Sequence, residues 1–150
     1  MDGSQSVNNR LTWPRVDLYI LAAYLILTLF FSHLGYLDRP GARIRGGDSD
    51  HYFVYLPALF IGGDLDLSDE LNALIDHPFR FPSADSRPGN PYSVGPAILW
   101  IPFYLIGHLI ALASTSFSAD GLSVPYQAAV YIGNGLITAL GLLVTARFLR

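Results

Sequence analysis

Three stretches of the chain are long and almost purely apolar, and the polar residues gather before and between them. A bilayer core about 30 Å thick needs roughly 20 helical residues to cross it. Residues 16–37 supply that length, densest from Leu18 to Phe31. The run is too long for a signal-peptide core, and no small-residue cleavage site follows, so an uncleaved span is expected. Residues 94–114 form a second span, with Pro96 near its start, where proline is tolerated, and Pro102 inside, where a kink is expected. Residues 127–148 form a third, and its small side chains (Ala128, Ala129, Gly133, Gly135, Ala139, Gly141) favour close helix packing. Tyr19, Tyr24 and Tyr36 are expected as interfacial anchors of the first span.

The segments between differ in kind. Residues 1–15 are a polar tail, and 115–126 are a turn-rich connector. Residues 38–93 are a long polar loop that encloses one apolar stretch, YFVYLPALFI, half a span long. Such a stretch predicts a juxtamembrane helix at about 51–61 that lies along the interface or on the bundle. Pro57 breaks or restarts it, and Gly62-Gly63 end it. The pattern therefore predicts an all-α membrane protein: three transmembrane helices with a long first loop containing a juxtamembrane helix.

Composition supports this reading. Charged residues make up 14% of the 150 positions, against about 25% in soluble domains, and mean hydropathy is +0.36. With no cysteine, disulfides, thiol nucleophiles and Cys-based zinc sites are excluded. Net charge is −3 and no basic block is present, so nucleic acid is not an expected partner. Arg10 and Arg15 precede the first span and favour a cytoplasmic N-terminus, whereas Arg147 and Arg150 pull the other way.

The chemistry gathers in the loop. Gly46-Gly47-Asp48-Ser49-Asp50-His51-Tyr52 sets two carboxylates two residues apart where an apolar segment begins. Beside low-dielectric material a carboxylate gains basicity, which suits a general base. The same acids also suit capping of a helix that begins at His51. A second cluster, Asp64-Leu65-Asp66-Leu67-Ser68-Asp69-Glu70, opens like a calcium loop. It has no glycine at position six and Ile75 at position twelve, which excludes an EF-hand. Helix capping is its other reading. His51, His77 and His108 are too scattered for a metal-ligand set; no cofactor is assigned, and dependence on a divalent metal is left open. His33 and His108 fall late in their spans, as intramembrane functional groups or as interfacial residues. Asn90-Pro91-Tyr92 stands where the chain returns to the membrane. Arg43, Arg45, Arg80 and Arg87 suit either phosphate binding or loop ion pairs.

The order of these pieces resembles the N-terminal part of the bacterial GT-C glycosyltransferases, the group of protein O-mannosyltransferases and aminoarabinose transferases (glycosyltransferase family 39). Three stretches carry the likeness. Gly47-Asp48-Ser49-Asp50-His51-Tyr52-Phe53-Val54-Tyr55-Leu56 is similar to the family's first-loop GDG-x-x-YY-x-YL pattern. Gly62-Gly63-Asp64-Leu65-Asp66-Leu67-Ser68-Asp69-Glu70 is similar to DGDLDF-x-NE, and Gly95-Pro96-Ala97-Ile98-Leu99-Trp100-Ile101-Pro102-Phe103-Tyr104-Leu105 to GPALLWxPFYL. Ser49 replaces the family's second glycine, Phe53 its second tyrosine, and Asp69 the asparagine of its asparagine-acid pair.

The resemblance implies a partial GT-C fold, a polyprenyl-phosphate-linked sugar as donor, and a glycan, lipid or protein acceptor. It implies that Asp48, or Asp50, is the base acting on the acceptor hydroxyl. His51, Tyr52, Asp64, Asp66, Arg43, Arg45, Asn90 and Tyr92 are the expected substrate-binding residues. It further implies a bacterial inner-membrane location with the loop outside. Such enzymes have more spans, so a truncated or partial chain, inactive alone, is expected. The rival expectation is a small non-catalytic membrane subunit or a transporter fragment.

Overall fold

The structure, a computed structural model, describes residues 13–38, 48–75 and 89–148, with side chains at 16–30 in the first of these. Among the described residues all regular structure is helical: α1 (Trp13–Asp38), α2 (Asp48–Phe53), α3 (Tyr55–Pro57), a π-helical turn (Ala58–Gly62), α4 (Ser68–Leu74), α5 (Gly95–Ala113) and α6 (Val124–Phe148). Helices α5 and α6 are long and apolar enough to cross a membrane, and α1 carries a shorter apolar run, Val16–Phe30. The chain divides into two compact units, residues 42–133 and residues 1–41 with 134–150.

The larger unit is built on one face of α5. Its buried residues, Ala97, Trp100, Tyr104, Gly107 and Ala111, recur every three or four positions, the spacing of a single helical stripe. The rest of α5 is left uncovered, including Ile98, Leu99, Leu109 and Leu112. The helix continues through Pro102, which lacks the N–H that would bond the Ile98 carbonyl. On α6, Tyr126, Gln127 and Val130 are buried. The two helices approach closely because glycines face the contact. A Cβ on Gly107 would stand 2.7 Å from Tyr126 Cα, and one on Gly133 would overlap the Phe103 ring.

Tyr104 is the centre of this unit. Its side chain is fully buried, and its ring meets Tyr126 at 4.9 Å, Phe53 at 5.8 Å and Phe60 at 6.0 Å between centroids. Its hydroxyl donates to the Gly121 carbonyl at 3.3 Å. Gly121 sits at φ +82°, a left-handed backbone that glycine adopts without strain. In the connector, Asp120 Oδ1 accepts the N–H groups of Leu122 and Ser123, both at 2.8 Å, and so prepares the start of α6.

The juxtamembrane segment begins at Asp48, three residues before His51. Asp48 and Asp50 therefore occupy the first turn of α2, where unpaired N–H groups and the helix dipole favour negative charge. The run continues through Val54, whose backbone is helical and whose N–H bonds the Asp50 carbonyl at 3.1 Å, into α3, and widens into the π-helical turn directly after Pro57. Gly63 at φ +76° ends the run, its N–H on the Ala58 carbonyl. Phe53, Val54, Leu56, Pro57 and Ala58 are buried, while Leu59, Phe60 and Ile61 emerge.

The smaller unit pairs α1 with the end of α6. Tyr24 donates to the Gly135 carbonyl at 3.1 Å. A phenol midway along an apolar helix needs such a partner. Asp17 and Arg147 approach to 3.9 Å. Residue 17 near 147 and residue 24 near 135 make this pairing antiparallel. Three successive spans would run the first and third helices in the same direction, so the pairing does not have the expected three-span order. Helix α1 begins at Trp13, inside the expected tail, with Pro14 in its first turn, where its missing N–H costs nothing. His33 and Tyr36 lie on α1 beyond its described side chains.

Gly107→Ala should lower the thermal midpoint in detergent by the equivalent of about 1–3 kcal/mol, since the new methyl meets backbone that can yield only by separating the helices. Gly141→Ala, with nothing within 4 Å, should not lower the midpoint, alanine being the better helix former.

Candidate functional site

The first turn of α2 and the chain just before α5 meet, and five of the expected site residues come together there. Tyr92 donates its hydroxyl to Asp48 Oδ1 at 2.7 Å. Its ring stacks on His51 at 4.7 Å and 27°, and meets the edge of Tyr52 at 5.5 Å. Asn90 Nδ2 donates to the His51 carbonyl at 2.6 Å, while Asn90 Oδ1 accepts the Tyr92 N–H at 3.2 Å. This local bond folds the chain over Pro91, as asparagine side chains do in turns. Asp48 is exposed, and His51, Tyr52, Asn90 and Tyr92 are half-buried.

The proton of Tyr92 is held more firmly than usual. The hydrogen bond to Asp48 comes first among the causes, followed by desolvation and by the Asp48 charge. Burial also pushes the Tyr55 hydroxyl up. His51 Nδ1 is buried with no hydrogen-bond partner among the described residues.

Two further residues complete the cluster. Tyr55 donates to the Tyr92 carbonyl at 2.6 Å, and Trp100 of α5 meets Tyr52 at 6.3 Å, edge on. Neither was among the expected site residues. A signal for Tyr55 was present, because positions 48, 52 and 55 follow the i, i+4, i+7 spacing of one helical face. Trp100 has no such local signal, since α5 is apolar on every side.

Asp50 lies on α2 two residues after Asp48, about 200° around the helix, and is half-buried. Asp64 and Asp66 form a turn of their own. Asp64 Oδ1 accepts the Asp66 N–H at 3.0 Å, and Asp66 Oδ1 accepts the Ser68 N–H at 3.1 Å and the Ser68 hydroxyl at 2.5 Å. These bonds start α4, whose first turn carries Asp69 and Glu70. Arg43 and Arg45, with Arg80 and Arg87, lie outside the described residues. Among the described residues, no group of three His, Asp or Glu side chains is arranged to hold a metal ion. His108 Nδ1 and the Tyr126 hydroxyl lie 2.6 Å apart where α5 and α6 cross.

The cluster thus offers a carboxylate fixed through one oxygen, open to solvent and bordered by aromatic rings. Such a group can take a proton from a hydroxyl brought to it. No family model, no curated protein and no solved structure matches the chain.

Glu70 is the other carboxyl with an unusual environment. Its Oε2 is buried without a partner among the described residues. Burial raises it above the ordinary carboxylate value, a backbone hydrogen bond offsets part of the rise, and the charges of Asp69, Asp64 and Asp66 add to it. The folded chain therefore holds this proton more firmly than the unfolded chain does. Stability from this group is fully present below the unfolded value of 4.5 and is lost as pH rises through the folded value. Glu70→Gln should remove that dependence, so the variant gains stability over the parent as pH rises from about 4 to 8. Melting curves across that range would check it.

Proposed function

We propose that this chain carries the acceptor-activating site of a membrane glycosyltransferase of the GT-C kind, with Asp48 as the base. The observation that carries the reading is the exposed Asp48 carboxylate, held by Tyr92 within an aromatic border next to α5. The donor class, a polyprenyl-phosphate-linked sugar, comes from the resemblance of the three loop and helix stretches.

A bilayer setting is supported by what the apolar helices leave uncovered. In their most apolar windows only 28% of α5 and 11% of α6 is buried, whereas a core helix of a soluble protein is mostly buried. Crossing as a hairpin, α5 and α6 would set the 90–92 turn at the membrane edge, where a lipid-linked sugar presents its phosphate. The three-span order implied by the resemblance needs α1 and α6 to run the same way, opposite to their pairing here. The reading therefore rests on α5, α6 and the loop. It places the loop outside a bacterial inner membrane, facing a glycan, lipid or protein acceptor.

The step is a single displacement. The acceptor hydroxyl gives its proton to Asp48 as its oxygen attacks the anomeric carbon. The bond from that carbon to the carrier phosphate breaks, and its electron pair leaves with the lipid phosphate. Arg43 and Arg45 are the proposed partners of the departing charge. Asp48 is preferred to Asp50 because it shares a helical face with Tyr52 and Tyr55, while Asp50 points away from that face.

In membranes containing the variants, Asp48→Asn should reduce transfer of label from a polyprenyl-phosphate-hexose donor into glycan product by about a hundred-fold or more. Asp50→Asn should stay within a few-fold of the parent. Full activity in both would overturn the assignment of the base.

A further inference from the structure

We infer that the 90–92 turn is a positioning clamp for Asp48 and that Asn90 and Tyr92 orient the base without contacting the sugar; this rests on reading Asp48 as the base. Asp48 is the first residue of α2, at the end of a helical run that continues through Val54 into α3. Helix ends fray, so the helix behind a first-turn carboxylate does not hold it in one direction. Something outside must fix that direction. The turn supplies that from far along the chain, with Asn90 bonded 39 positions away and Tyr92 bonded 44 positions away.

Most of the hydrogen-bonding groups of Asn90 and Tyr92 are committed to protein partners. Both donors of Tyr92 are engaged, the N–H by Asn90 Oδ1 and the hydroxyl by Asp48 Oδ1, and its carbonyl accepts Tyr55. Asn90 uses both ends of its amide, one on His51 and one on Tyr92. One face of the Tyr92 ring is taken by His51 and its side by Tyr52. A residue bonded this way holds its neighbours in place and has little left to offer a ligand. Asp48, by contrast, remains exposed.

The experiment uses the whole protein in membranes, with undecaprenyl-phosphate-[14C]mannose added as the probe donor over a range of concentrations. Tyr92→Phe removes the hydroxyl and keeps the stacked ring. It should lower the maximal rate about ten- to a hundred-fold and leave the apparent KM for the donor unchanged, as loss of orientation does. Asn90→Ala should act in the same direction. A rise in KM at constant maximal rate would show that the turn touches the donor and would overturn the inference. Full activity in Tyr92→Phe beside an inactive Asp48→Asn would also overturn it and leave the base assignment standing. Full activity in Asp48→Asn would overturn the functional reading itself.

A readout independent of activity keeps the geometry testable. The chain has no cysteine, so a pair introduced by His51→Cys and Pro91→Cys, which keeps the side-chain bonds of Asn90 and Tyr92, reacts cleanly. A short bismaleimide should join them within one chain. Failure to cross-link while each single variant is labelled would refute the clamp.

Discussion

The larger unit depends on one buried aromatic side chain. Tyr104 touches the juxtamembrane segment through Phe53 and Phe60, the last helix through Tyr126, and the connector through the Gly121 carbonyl. A ring of this size buries on the order of 150–250 Å², and its hydroxyl must still find an acceptor. Gly121 answers both needs, because a Cβ at that position would stand 2.6 Å from the hydroxyl. The left-handed turn of the connector and the tyrosine beneath it are therefore one constraint. A larger residue at 121 would disturb the connector and the segment that carries the site together.

That same ring explains how a carboxylate on a six-residue helix is kept in place beside an apolar bundle. Phe53 turns inward to Tyr104, while its neighbour Tyr52 turns toward Tyr92 and Trp100. Trp100 and Tyr104 are four residues apart on α5 and so lie on one face of it. A single rigid helix thus supports the core with one side chain and the site with the next. The aromatic contacts are soft and non-directional, and the hydrogen bonds of Asn90, Tyr92 and Tyr55 add the direction that they lack.

How much of this could be read beforehand follows from the kind of signal involved. Local chemistry was legible: Asp66 and Ser68 start α4, Gly63 ends the π-helical turn, and both follow from residues within a few positions. The apolar character of α5 and α6 was legible for the same reason. Which face of α5 is covered was not, since a helix apolar all round has no amphipathic stripe to announce its packing. The meeting of Asn90 and Tyr92 with Asp48 and His51 was hidden too. Each residue stood out alone, but no short-range period links positions some forty apart. The bond from Tyr24 to Gly135 was hidden because a tyrosine with a partner on another helix and one without look alike in a linear pattern. The direction of α1 against α6 left one trace in charge, since Arg147 and Arg150 pulled against the orientation set by Arg10 and Arg15.

The bond between Tyr92 and Asp48 also closes the loop at its base. Once two distant points of a chain are pinned, the cost of the strand between them grows only with the logarithm of its length, about 0.6 kcal/mol for each doubling. An insertion between the two pinned residues therefore costs the clamp little, whereas a change at either Asp48 or Tyr92 removes it.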